Sequence, residues 1–267
     1  MLRKGDLTQG GITGTLLHFT LPMMVGSFLQ QCYNIADTLI VGQCIGAGAL
    51  AAVGSAYTLM VFLISVLLGL AMGSGTVFSL HYGAGNHVAL RRSIFSSFVL
   101  IGIVTLILNV AVFIWLGPIL RLLQVPQDIY GMMRSYLWII FCGIVFTFIY
   151  NFYASLLRAV GDSVTPLWFL AVSVVLNIAL DLFFILQLDW GIQGAASATV
   201  LAQGVAALGI IIYTYRRRPE LRWHHEDMCF DRTCLKEIAS FSTLTCIQQS
   251  VMNLGILMVQ GLVNSFG

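Results

Sequence analysis

The chain has 267 residues, 58% of them hydrophobic and only 9% charged, with a formal net charge of +2. A soluble domain carries about a quarter charged residues, so a deficit spread over the whole length excludes a water-facing surface. The small net charge gives no argument for nucleic acid as a partner. The composition predicts an all-α polytopic helix bundle embedded in membrane lipid, in which the 26 glycines let helix backbones approach closely.

A span needs roughly 20 apolar residues to cross the hydrocarbon core. Between Leu7 and Leu90 the only formal charge is Asp37, which leaves room for a first span over Thr15–Gly42 and a second over Gly54–Tyr82. The break between them is rich in glycine (Gly42, Gly46, Gly48). A third span is expected over Ile94–Leu116, stopping at Gly117-Pro118, and a fourth over Ser135–Leu157. A fifth follows Pro166 and ends near Leu186, and a sixth covers Ile192–Tyr215. A polar stretch, Arg216–Glu237, precedes a seventh apolar run from about Ile238 onward. The runs are too long for strands and lack the alternation of a membrane barrel.

With about seven spans, the basic residues fall mostly on one side. Arg3, Lys4, Arg91, Arg92, Arg158 and the cluster Arg216–Lys236 share it, and only Arg121 and Arg134 oppose them. The positive-inside rule therefore places the N-terminus and the long loop in the cytoplasm of a multi-pass protein of the cytoplasmic (inner) membrane. The first apolar run is long, preceded by a polar stretch and without a clear cleavage pattern, so no signal peptide is expected. His224, His225, Cys229 and Cys234 crowd into the long loop, but their spacing matches no common zinc module, and no metal site is expected.

The chemistry must lie in polar residues within the spans. Of the 11 acidic residues, Asp37 and Asp181 alone map inside spans. An ionisable group at membrane depth is expensive and defaults to a functional hypothesis. Gln30, Asn34 and Asp37 are spaced four and three apart and share one helix face. Asn177 and Asp181 stack at i, i+4. Both acids fall in the outer part of outward-running spans, and Thr199 enters the next span at similar depth. Two carboxylates, an amide and a hydroxyl at one level suit a small cation or a shared proton. Either acid alone also reads as a helix-end residue reaching the interface. Asn151 lies nearer the cytoplasmic end and joins this level only with a tilt or shifted boundary.

Several stretches then carry a resemblance through nearly the whole chain. They are Asn34-Ile35-Ala36-Asp37-Thr38, Gly46 to Gly54, Tyr82-Gly83-Ala84-Gly85-Asn86, Leu157 to Pro166, Asn177 to Asp181 and Gly191 to Thr199. In order and spacing they resemble the N-terminal lobe of the multidrug and toxic compound extrusion (MATE) family, and the two aspartates resemble its DNA-damage-inducible F-like branch. The resemblance implies two six-helix lobes of a transporter, not an enzyme. Such a protein exports drugs or other small organic compounds, often cationic, against sodium or protons, and needs no cofactor beyond that coupling ion. The family pattern for ion coupling falls on Asp37, Asn177, Asp181 and Thr199, with Asn151 nearby. The proline of the family's bending first helix falls on Pro22, where a lost backbone hydrogen bond favours a kink that is either static or moving.

The implied organisation is a six-helix lobe over 1–215, a cytoplasmic inter-lobe loop over 216–237 and a seventh helix over 238–267 that opens a second lobe. That second lobe is the expected partner, and the chain is read as a fragment or truncated reading frame that is not expected to transport alone. A lipid-linked oligosaccharide flippase of the wider superfamily is the alternative, but it would line its cavity with arginines, and no predicted span holds one. A seven-span receptor conflicts with the cytoplasmic N-terminus. Neither intramembrane-enzyme nor phosphate-loop motifs occur within the spans.

Overall fold

The computed structural model describes residues 12–122, 125–228 and 232–265. Among these residues the chain is helical, with no strand. Eight α-helices follow in order: α1 (Ile12–Cys44), α2 (Ala47–Gly83), α3 (His87–Leu122), α4 (Gln127–Cys142), α5 (Ile144–Ala159), α6 (Val164–Leu182), α7 (Gly191–Arg217) and α8 (Arg232–Ser265). Four of these rods are both long and apolar enough to cross a membrane: α2, α3, α7, and α6 with the π-helical turn Phe183–Gln187 that continues it. The pair α4 and α5, bent by 47° at Gly143, makes a fifth. Helices α1 and α8 reach 33 and 34 residues but carry more polar side chains.

The exposed residues identify the lipid face. Ile103, Ile107, Val110 and Ile114 on α3 are exposed, as are Leu201, Val205, Leu208 and Ile212 on α7. Each set repeats at four, three and four residues, which draws one apolar stripe down the helix. Trp168, Val172 and Val175 do the same on α6. In water such stripes would oppose folding; against acyl chains they are in their proper solvent.

Helix boundaries follow from backbone chemistry. Gly46 (φ +118°) turns the chain from α1 into α2, and Gly85 (φ +69°) does so before α3. The Asn86 side chain then accepts from the Ala89 N–H at 3.1 Å and caps the α3 N-terminus. Between α5 and α6, Gly161 (φ +86°) turns the chain, and Asp162 accepts from the Thr165 N–H at 3.0 Å.

Three expected boundaries are corrected. Helix α3 passes Gly117-Pro118 and ends at Leu122, so the proline removes one backbone bond, to the Ile114 carbonyl, without stopping the helix. The fourth span is two helices that meet at Gly143, a residue that must lack a side chain because it sits against Val200 of α7: a Cβ there would lie 2.5 Å from Val200 Cγ2. The polar stretch 216–237 is mostly helical at its edges, since α7 continues to Arg217 and α8 begins at Arg232. Arg, Lys and Glu are good helix formers, so charge ends the apolar run without ending the helix.

The helices pack around α2 and α7. Helix α7 lies against α4, α5 and α6, while α2 lies against α3, α4, α5 and α8. Helix α1 packs chiefly on α6. Two apolar cores result. One gathers Val41, Leu63, Leu116, Met133, Leu137 and Phe141, and the other Phe78, Ile94, Phe152, Leu156, Leu157 and Ile210. The second core lies toward the end that carries Arg91, Arg92, Arg158 and the α7–α8 connection, called here the basic end.

Candidate functional site

A cavity of about 1050 Å³ opens between α1, α2, α4, α5, α6 and α7, with Gln249 and Met252 of α8 also lining it. Pro22, Gln30, Tyr33, Asn34 and Asp37 line it from α1, which is why that face of the helix is polar. Asp37 is 8% exposed and stands on the cavity wall, whereas Asp181 is fully buried behind it on α6. Helices α1 and α6 pack together and bring the two carboxyl groups close enough for each to bear on the charge of the other. One oxygen of each, Oδ1, is buried without a hydrogen-bond partner.

The surrounding groups are supplied by three helices. Asn177, one turn before Asp181 on α6, is 2% exposed. With its amide oriented to satisfy its neighbours, its N–H donates to Asp181 Oδ2 at 2.8 Å and its oxygen accepts from the Thr199 N–H at 3.1 Å. The Thr199 hydroxyl donates to the Ala195 carbonyl (3.1 Å) and lies 3.3 Å from the Tyr33 hydroxyl. Asp37, Asn177, Asp181 and Thr199 are therefore brought to one place. Two anionic side chains, each with a bare oxygen, next to an amide and two hydroxyls form a hard-oxygen site of the kind that holds a proton or a small cation.

Asn151 stands apart from this cluster. It lines the same cavity from α5, but its N–H donates to the Thr147 carbonyl of its own helix at 2.8 Å. Pro22 lies inside a continuous α1 and also lines the cavity. Sequence reasoning misses Tyr33, although it lies four residues before Asp37 and so on the same face. Tyr136, buried on α4 at the cavity wall, carries no local signal at all.

Arg158 is a correction. It does not follow the fourth span but occupies the last turn of α5, and it lines the cavity at the basic end. The helix runs past the apolar stretch and carries the arginine with it. Among the described residues no group of three or more His, Cys, Asp or Glu gathers as a metal site. Cys229 lies outside the described residues, and Cys234 is buried against α3 with its Sγ 3.1 Å from Ser93 Oγ.

Comparison with known proteins agrees with this architecture. The MatE family model matches residues 22–183. The probable multidrug resistance protein YpnP of Bacillus subtilis is 33% identical over the whole chain, which covers 59% of that protein. The multidrug export protein MepA of Staphylococcus saprophyticus is 31% identical over 76% of the chain and 45% of its own length. The chain thus spans between two fifths and three fifths of these relatives. A crystal structure of MATE in the bent conformation superposes with a TM-score of 0.90 at 23% identity, covering all of this chain and 60% of that one. An outward-facing multidrug resistance MATE transporter gives 0.89 at 24% identity, over 96% of this chain and 57% of that one. With the matched span, the helix order and the long relatives in agreement, this multi-pass membrane chain belongs to the multidrug and toxic compound extrusion (MATE) family.

Proposed function

We propose that this chain forms the ion-coupling half of an antiporter that exports small organic compounds across the cytoplasmic membrane in exchange for sodium or protons. One observation carries the reading: Asp37 and Asp181 are paired in a buried site that borders the cavity through Asp37 and Thr199, while Asp181 itself stays off the cavity wall. Two carboxylates so close in a poorly solvated place require a shared proton or a cation between them. The names of the relatives, multidrug resistance and multidrug export proteins, support drugs as the class of cargo.

The basic residues set the orientation of this reading. Arg91, Arg92, Arg158, Arg216, Arg217 and Arg218 lie at one end, which the positive-inside rule assigns to the cytoplasm together with the N-terminus. A second helix bundle completes the cleft in this proposal, and the greater length of the relatives supports it.

The test is cation binding and efflux by Asp37→Asn and Asp181→Asn variants of the full gene product. Each substitution keeps the side-chain size and removes the charge that answers to the ion. Export should fall at least about tenfold, the worth of one charge-assisted interaction in a buried site. Wild-type export by both variants, with unchanged dependence on sodium and pH, would reject the site.

A further inference from the structure

The cavity has a second charged pole. Arg158 lines it at the basic end, one residue before the end of α5. Gly143 abuts Val200, the neighbour of Thr199, so it marks the level of the aspartate pair. Arg158 is 15 residues further along α5, roughly 22 Å at 1.5 Å per residue. The aspartates are therefore too far to serve as its counterion.

Its natural partner is diverted. Asp162 follows Arg158 by four residues, the spacing at which a continuing helix would pair them. The helix stops at Ala159, and Gly161 (φ +86°) swings Asp162 away. Asp162 is then occupied three times over: by the Thr165 N–H (3.0 Å), by the Thr165 hydroxyl (2.8 Å) and by Arg218 (3.5 Å). Glu220 also goes to Arg218, at 3.5 Å. Among the described residues no carboxylate lies within ion-pair distance of Arg158. Its Nε donates to the Ala154 carbonyl at 3.0 Å, which leaves the two terminal nitrogens of the guanidinium. The last carbonyls of α5 offset it by about half a charge. The remainder faces a cavity whose wall here also carries Tyr150, Ser155 and Ser163.

We propose that Arg158 is the anion anchor of this cavity, seating a carboxylate or phosphate group borne by an otherwise apolar compound. The inference deepens the export reading by assigning a chemical feature of the cargo, and it is tested by equilibrium binding so that its outcome is separate from ion coupling. A planar guanidinium with two free nitrogens matches either anion in bidentate fashion. The same cavity is lined elsewhere by Leu68, Met72, Leu167 and Leu170, which suit an apolar body.

The experiment uses the full gene product in lipid nanodiscs and a rhodamine dye in two forms, the free acid and its methyl ester. The two probes differ only in the carboxylate. Wild type should bind the acid about tenfold more tightly than the ester, as one charge-assisted pair in a desolvated site provides. Arg158→Gln should erase that preference and leave ester affinity unchanged, while Arg158→Lys, which keeps the charge but loses the fork, should retain only part of it. If Arg158→Gln does not fold, Ser163→Asp serves instead. It leaves the arginine in place, changes a side chain that makes no cap hydrogen bond to α6 and supplies an internal carboxylate, so it too should erase the preference. Equal binding of acid and ester by wild type, or equal loss of both in the variants, overturns the proposal. Nanodiscs of phosphatidylcholine alone and with phosphatidylglycerol separate the sources. Arg158-dependent competition by phosphatidylglycerol identifies a lipid phosphate as the occupant, and its absence beside an intact acid preference identifies a soluble organic anion.

Discussion

Gly143→Ala should loosen the bundle and the candidate ion site together. The backbone there (φ −89°, ψ −3°) is open to alanine, so any effect comes from space alone. The new Cβ would meet Val200 Cγ2 at 2.5 Å, Cγ1 at 2.7 Å and Cβ at 3.0 Å. The Cβ contact belongs to the stiff base of a β-branched side chain, which cannot swing clear of all three. Overpacking of this kind costs about 1–3 kcal/mol, and for a chain of this size roughly 2–4 °C of melting temperature per kcal/mol. Thr199 is the preceding residue on α7, and its N–H and hydroxyl serve Asn177 and Tyr33. Displacing Val200 should therefore weaken cation binding as well. The control is Val200→Ala, which removes both Cγ atoms. The assay is thermal unfolding in detergent with cation binding alongside, on both single variants and the double variant. The double variant should recover most of the Gly143→Ala loss. If the two losses simply add, the two residues are not coupled and the steric account of Gly143 is wrong.

Three further outcomes follow from other parts of the bundle. Gly73→Ala should detach α8 from α2, because its Cβ would lie 2.4 Å from the Ser242 Cα, a backbone atom that can yield only by parting the helices; crosslinking between α2 and α8 should fall. Asp227→Asn should free the α7–α8 connection, where Asp227 accepts from Arg91 Nε at 2.7 Å and from the His224 N–H at 3.0 Å, and amide exchange over 218–228 should rise about tenfold. The same carboxyl sets a pH dependence: burial opposes its charge, but the His224 N–H and Arg91 outweigh burial and hold it below the usual carboxylate range. A depressed value contributes stability above the ordinary carboxylate pKa that is lost as pH falls through the depressed one, so the connection should undock only in strong acid. Finally, a cysteine placed at exposed Glu226 should resist an impermeant thiol reagent in intact cells and react after permeabilisation, whereas ready labelling from outside would invert the topology. The native Cys234 is unsuited to that test because it is buried.

The fold is legible wherever one residue's chemistry suffices. Uncharged apolar runs mark the helices, Gly46 marks the first turn, and the i, i+4 pair Asn177 and Asp181 marks one face of α6. What the sequence hides depends on a second element. Nothing local to Gly143 distinguishes it from the other glycines, since the need for a bare Cα there comes from Val200 of α7, 57 residues further along the chain. Arg158 reads as a loop residue because apolarity ends before the helix does. Asn151 looks like a companion to the aspartates, yet its amide turns back to Thr147. Tyr33 is within reach of a face argument, but its partnership with Thr199 joins positions 166 residues apart.

The placement of the two aspartates bears on how an ion and a cargo could exclude one another. Asp37 belongs to α1, which packs chiefly on α6, while Asp181 and Asn177 belong to α6 and Thr199 to α7. Anything bound between the carboxylates therefore ties α1 to the α6–α7 pair. Its loss leaves two facing negative charges on separate helices, a repulsion that α1 can relieve by moving. The same helix supplies Pro22, Gln30, Asn34 and Asp37 to the cavity wall, so movement of α1 reshapes the space offered to cargo. A ligand shifts an equilibrium only by binding its two states differently. In the proposed antiporter, one helix that carries both Asp37 and a cavity wall would provide that difference without any longer pathway. Coupling should accordingly be lost by changes that pin α1 irrespective of charge. A crosslink between cysteines at Gly26 and Leu170, which approach one another where α1 meets α6, is such a change. It should stop export while leaving Asp37 and Asp181 able to bind a cation, and export that continues at the uncrosslinked rate would show that α1 does not carry the coupling.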